Sequence, residues 1–129
     1  MNHFLLPGTD AADDREGQSL RYGAYAMDLL VNNLLIEGAK RHQLRAKLFG
    51  GARMLAGLTD LGSRNADFAE LYLRRENIAL VGGSLRSERG RRVEFWPSTG
   101  RTRQLLIGAT LAVERDPNPP VNVGAVELF

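Results

Sequence analysis

One stretch limits the choice of fold more than any other. Between Leu20 and Glu37 the apolar side chains Tyr22, Tyr25, Ala26, Leu29, Leu30, Leu34 and Ile36 return at steps of three and four residues. That is the period of a helix with an apolar stripe, and such a stripe needs a second layer to cover it. Ser19 stands where an N-cap would accept an orphan amide, and Gly38 where a helix end favours left-handed backbone. Directly afterwards LRAKLF (44–49) alternates apolar and basic residues and stops at Gly50-Gly51, the pattern of a strand closing in a turn or bulge.

The remaining segments extend this alternation of helix and strand. NHFLL (2–6) reads as a strand end cut off by Pro7-Gly8, and 8–19 as an acidic solvated loop. Residues 51–55 give a short apolar turn. A second helix should begin near Gly62-Ser63, with Ser63 or Asn65 as cap, Asp67 near its positive end, and Phe68, Leu71, Tyr72 and Ile78 facing the core. IALV (78–81) suits an interior strand, with Gly82-Gly83-Ser84 as a break after it. Val93 and Phe95 alternate with Arg92 and Glu94, Pro97 to Gly100 supply turn chemistry, and 101–107 return, which predicts a hairpin. Residues 108–129 hold three of the five prolines and no sustained period, so they read as a loosely packed tail whose apolar end, 123–129, suits docking on a partner. The expectation is one α/β domain over 1–107, a mixed sheet layered with helices, followed by that tail.

Composition removes whole classes of function. The 129 residues are 43% apolar and 25% charged, the balance of a globular domain. Seventeen basic against 15 acidic side chains leave a net charge of only +2, too little for wholesale capture of nucleic acid or an anionic membrane. No run approaches the about 20 apolar residues of a bilayer span, so no membrane insertion and a cytoplasmic location are expected. With no cysteine, the chain supplies no disulfide, thiolate metal site or thiol nucleophile. Its two histidines, His3 and His42, lie far apart without metal-binding spacing, so no metal is expected.

Local motifs are equally restrictive. His42 sits among Lys40, Arg41 and Arg45 at the end of the long helix, where exposure explains it without chemistry. His3 lies in an apolar segment beside a loop, a place from which side chains enter clefts. Gly50-Gly51 belongs to neither glycine-rich phosphate motif and reads as a turn or bulge. Gly82-Gly83-Ser84-Leu85-Arg86 lacks the final glycine of a serine nucleophile elbow, which leaves Ser84 a turn residue. The basic cluster 86–92 beside Phe95 and Trp96 has a superficial nucleic-acid flavour. A solvated face or a match to acidic protein helices fits it better, so no nucleic-acid partner is expected.

Five segments, in order and spacing, carry a family resemblance: MNHFLLPG (1–8), RYGAYAMDLLVNNLLIEGA (21–39), LRAKLFGGARM (44–54), LGSRNADF (61–68) and GRRVEFWPSTGRTR (90–103). Together they resemble the chemoreceptor glutamine deamidases called CheD; 83–87 depart from the acidic, glycine-rich turn many members carry there. The resemblance implies a layered α/β fold related to cysteine-dependent deamidating enzymes. It implies a cysteine that attacks glutamine side chains on the cytoplasmic helices of chemoreceptors, a histidine that assists, and a thioester cleaved by water, with no cofactor. His3 matches the histidine, as general base. The family's cysteine and a supporting threonine precede the segment matching MNHFLLP, so the chain is expected to be N-terminally incomplete, through a start assigned too late or a shortened homologue. By position, Asn65 and Arg92 are candidate substrate contacts. The implied partners are chemoreceptors and a CheC-type phosphatase; the alternative is a catalytically inactive module that binds either one.

Overall fold

The computed structural model describes residues 1–6, 15–52, 61–107 and 123–129. In chain order these form helix α1 (Arg15–Ile36), a 3₁₀ turn (Arg41–Gln43), strand β1 (Arg45–Gly50), helix α2 (Leu61–Arg75), and strands β2 (Ala79–Leu85), β3 (Arg91–Trp96), β4 (Arg101–Ile107) and β5 (Val123–Leu128). The fold is α/β, but the expected single mixed sheet is divided in two. β1 and β2 form a parallel pair, and β3, β4 and β5 an antiparallel sheet in that order. The sense of each pairing follows from the connections: a parallel pair needs a crossover, supplied by α2, whereas the tight turn at 97–100 permits only antiparallel pairing.

α1 forms where the periodicity placed a helix, yet it buries a different face. The inward stripe is Ser19, Gly23, Met27 and Val31, all at steps of four, with Leu35 partly buried below them. Tyr22, Tyr25, Leu29 and Ile36 face outward, Tyr25 with 66% of its surface exposed. Small residues decide the matter: a Cβ on Gly23 would stand 2.7 Å from both Leu6 Cδ2 and the Phe68 ring, so only this face admits so close an approach. Because the helix starts at Arg15, Ser19 lies inside it as a buried residue and not at its N-cap. The other end behaves as expected. Gly38, at φ 98, closes a Schellman pair in which its N–H donates to the Leu35 carbonyl and the Ala39 N–H to that of Leu34.

α2 starts at Leu61, two residues before the expected cap, so Ser63 and Asn65 lie inside its first turns. It buries Ala66, Ala69, Tyr72 and Leu73, while Leu71, read as a core residue, is 39% exposed. Its C-terminus repeats the Schellman pattern with Asn77 in the left-handed position (φ 53) and an Ile78 N–H to Leu73 carbonyl bond. Leu73 and Ile78 thereby meet in the core beside Met27, Val31 and Tyr72.

β2 departs from its reading in two ways. Leu80 and Val81 are about half exposed, so its apolar start does not form a buried strand. The strand also runs through Gly82, Gly83 and Ser84, which were expected to break it. Gly83 is needed there because it pairs with Leu48 so closely that a Cβ would overlap the Leu48 backbone.

The hairpin β3–β4 stands as expected, its turn closed by the Gly100 N–H to Trp96 carbonyl bond of 2.8 Å. The end of the supposed tail is instead β5, paired antiparallel to β4 from Leu128 opposite Arg103 to Val123 opposite Ile107. Residues 108–122 and 53–55, parts of the tail and of the apolar turn, lie outside the described residues. The two sheets are tied by Lys47 Nζ, which donates to the main-chain oxygens of Gly100 (2.7 Å) and Phe129 (3.1 Å). An edge-to-face contact of Phe49 with Phe129 and a hydrogen bond from Arg91 to the Ser84 carbonyl complete the seam.

Candidate functional site

Residues 1–6 carry the candidate histidine, and they are not a strand but an irregular segment laid against both helices. Three alternate residues hold it. Asn2 Nδ2 donates to the Ala26 carbonyl of α1 at 3.0 Å, Phe4 packs edge-to-face on Phe68 of α2 with centroids 5.7 Å apart, and Leu6 is 1% exposed beneath Gly23. The Leu6 N–H finds no partner strand here and is satisfied by Asn65 Oδ1 of α2 at 2.9 Å. The residues between and before these three holds are Leu5, His3 and Met1. All three are exposed. His3 is therefore a solvent-facing imidazole on a backbone anchored on either side of it.

The other candidates divide. Asn65 belongs to this locality through its bond to Leu6. Arg92 lies on β3, opposite Leu105 of β4, and lines a shallow groove of about 190 Å³ with Glu94, Arg103, Leu105 and Val126. Among the described residues no hydrogen bond, ion pair or ring contact joins Arg92 to His3 or Asn65. On this groove Arg103 is paired with Glu94 at 2.5 Å and lies over the Trp96 ring, whereas Arg92 is exposed. His42 is exposed, as read from sequence, but it lies in the separate 3₁₀ turn and not at the end of α1.

The remaining electrostatics brace the scaffold. Arg86, in left-handed backbone just past β2, bonds to Glu70 and Asp67 of α2. Its guanidinium holds the Glu70 carboxyl below the usual range. Burial, and secondarily the hydrogen bond to Asp28 at 2.7 Å, push the Tyr72 hydroxyl well above its ordinary value. Gly51 (φ 69) and Gly62 touch backbone to backbone: a Cβ on Gly51 would lie 2.8 Å from the Gly62 carbonyl oxygen. These contacts give Gly51 a packing role, joining the end of β1 to the start of α2. Among the described residues no three His, Cys, Asp or Glu side chains come together as a metal site, and no helix is long and apolar enough to cross a membrane.

Sequence reasoning singled out His3 and Asn65 but not Asn2, Phe4, Leu6 and Gly23, the residues through which the segment meets the two helices. The signal was present in the alternation of Asn2, Phe4 and Leu6 with His3 and Leu5.

The chain is thus a layered α/β protein with an exposed histidine on a segment pinned to two helices. The family described as CheD chemotactic sensory transduction matches residues 5–104, and the chain belongs to that family. It is 56% identical over 138 residues to a protein of Acidiphilium cryptum named "Probable chemoreceptor glutamine deamidase CheD", an alignment covering all of this chain and 72% of the relative. Proteins of the same name from Caulobacter vibrioides and Rhizobium etli are 51% and 46% identical, covering 100% and 93% of this chain and 72% and 68% of their own.

Proposed function

We propose that the chain takes part in chemotactic adaptation in the cytoplasm, as a deamidase of chemoreceptor glutamines with His3 as its general base. The observation that carries this reading is the exposed, anchored His3 in a chain of the CheD family, whose relatives bear the name "Probable chemoreceptor glutamine deamidase CheD". Imidazole suits both proton transfers of such a reaction. It takes the proton of a thiol, and the thiolate adds to the glutamine side-chain carbonyl carbon. The imidazolium then returns that proton to the leaving nitrogen as the C–N bond breaks and ammonia departs. Water, deprotonated by the same imidazole, adds to the thioester; the C–S bond breaks, giving glutamate and the regenerated thiol. The 129 residues contain no cysteine, so this reading requires a thiol from outside them.

Arg92, exposed beside the groove that Glu94, Arg103, Leu105 and Val126 also line, is proposed to meet acidic side chains on the receptor helices. A CheC-type phosphatase is a second proposed partner. The absence of cysteine also favours a second reading, a module that binds receptor or phosphatase without turning anything over.

The test is peptide mass spectrometry of a receptor cytoplasmic fragment incubated with the protein, including any natural sequence adjoining these residues. Deamidation adds about one mass unit at each converted glutamine, with ammonia released. An unchanged fragment, under conditions in which a CheD relative converts it, overturns the enzymatic reading; binding of the unchanged fragment establishes the second.

A further inference from the structure

We infer that Asn65 is a positioning residue for His3, acting through the Leu6 amide, and that α2 is thereby the element that orients the reacting imidazole. The inference rests on the reading of His3 as the general base and adds the device that aims it. A segment that carries a reacting group but has no ladder of hydrogen bonds must be held by other means, since loose segments open at almost no cost. Here the described holds are few and can be named. Leu6 and Phe4 supply apolar contacts, which resist lifting but do not define rotation about the chain axis. Directional bonds define it, and two side chains supply them: Asn2 to the Ala26 carbonyl before His3, and Asn65 to the Leu6 N–H after it.

The Asn65 bond is the stronger constraint. Its acceptor sits within a 15-residue helix beside buried Ala66, and its donor belongs to a residue 1% exposed, so water is a poor substitute for either partner. Asn2 is itself exposed, and its acceptor is a carbonyl in the middle of α1. Asn65 thus joins the backbone three residues from His3 to the helix that also carries Phe68, the ring against which Phe4 packs. The same carboxamide oxygen, already committed to Leu6, makes Asn65 a poorer candidate for direct recognition of substrate than its place in the sequence suggested.

Asn65→Leu removes the acceptor while keeping the branched side-chain skeleton, and Asn65→Asp keeps an acceptor oxygen in place. Two readouts need no turnover: hydrogen exchange of the Leu6 amide and the imidazole NMR signals of His3. Loss of one hydrogen bond should raise Leu6 exchange about tenfold in Asn65→Leu, with the core amides of α2 unchanged. His3 signals should move toward those of a free histidine, and Asn65→Asp should stay within about twofold of wild type. In deamidation, Asn65→Leu should lower kcat about tenfold at unchanged KM, with Asn65→Asp restoring it. If Asn65→Leu does not fold, Asn65→Ala provides the same comparison. Equal Leu6 exchange in wild type and Asn65→Leu overturns the inference, as does a raised KM at unchanged kcat, which would make Asn65 a substrate contact. His3→Ala separates this inference from its premise: full activity there removes His3 from the reaction, whereas the exchange data answer for the tether alone.

Discussion

Two adjacent glycines in β2 should respond in opposite ways to the same substitution. Gly83 has φ +136, and a Cβ there would overlap the Leu48 carbonyl oxygen and lie 2.7 and 2.8 Å from the Leu48 nitrogen and carbonyl carbon. All three are backbone atoms of the paired strand, so no rotamer change relieves the overlap; β1 and β2 must separate. The unfavourable φ alone is worth about 1–3 kcal/mol. Each ladder hydrogen bond lost in the separation adds about 1 kcal/mol. Gly83→Ala should therefore cost at least about 3 kcal/mol, a large fraction of the stability of a domain this size. Gly82 offers the control. A Cβ there meets nothing nearer than Lys47 Cγ at 3.7 Å, an ordinary contact, so Gly82→Ala should be neutral or stabilising by up to about 1 kcal/mol through the unfolded chain. Urea unfolding followed by circular dichroism measures both. Equal midpoints for the two variants would refute the close pairing of Gly83 with Leu48.

Three other substitutions test separate contacts. Gly23→Ala gains about 1 kcal/mol of helix propensity but forces its methyl onto Leu6 and Phe68 at a cost of about 1–3 kcal/mol, so thermal unfolding should show a net loss, with faster exchange at Leu6. Tyr72→Phe removes the bond to Asp28 and should lower stability by about 1 kcal/mol in urea titration, a small loss because exposed Asp28 regains water. Arg86→Ala frees Glu70. In the wild type the depressed Glu70 pKa contributes stability above the ordinary value of 4.5, lost as pH falls through the lower folded value; the variant should have a shallower acid limb in thermal melts between pH 5 and 3.

What the sequence revealed depended on how local the cause was. α1, β1, the β3–β4 hairpin and the glycine at the end of α1 were legible because period, alternation and turn chemistry act over a few residues. The buried face of α1 was not. Apolar residues ring much of that helix, and the choice fell to Gly23, whose value lies in what it lets approach. β5 was hidden because its pairing with β4 joins segments about 20 residues apart, and Pro117, Pro119 and Pro120 in the stretch before it read as an irregular tail. β2 misled because two glycines ordinarily end a strand, whereas here one of them permits the close passage of β1. His3 was legible as a lone histidine in a family motif. The anchoring of its segment through Asn2, Phe4, Leu6 and the distant Asn65 required the folded chain.

As the proposed general base, His3 is expected to perform the proton transfers of glutamine deamidation. Ammonia release from a receptor cytoplasmic fragment, compared among the wild-type protein, His3→Ala and His42→Ala, tests it most directly. General acid–base catalysis of this kind contributes about 10²–10⁴-fold, so His3→Ala should lose at least about a hundredfold in rate while His42→Ala retains the wild-type value. Equal rates for the wild type and a folded His3→Ala protein would contradict the account.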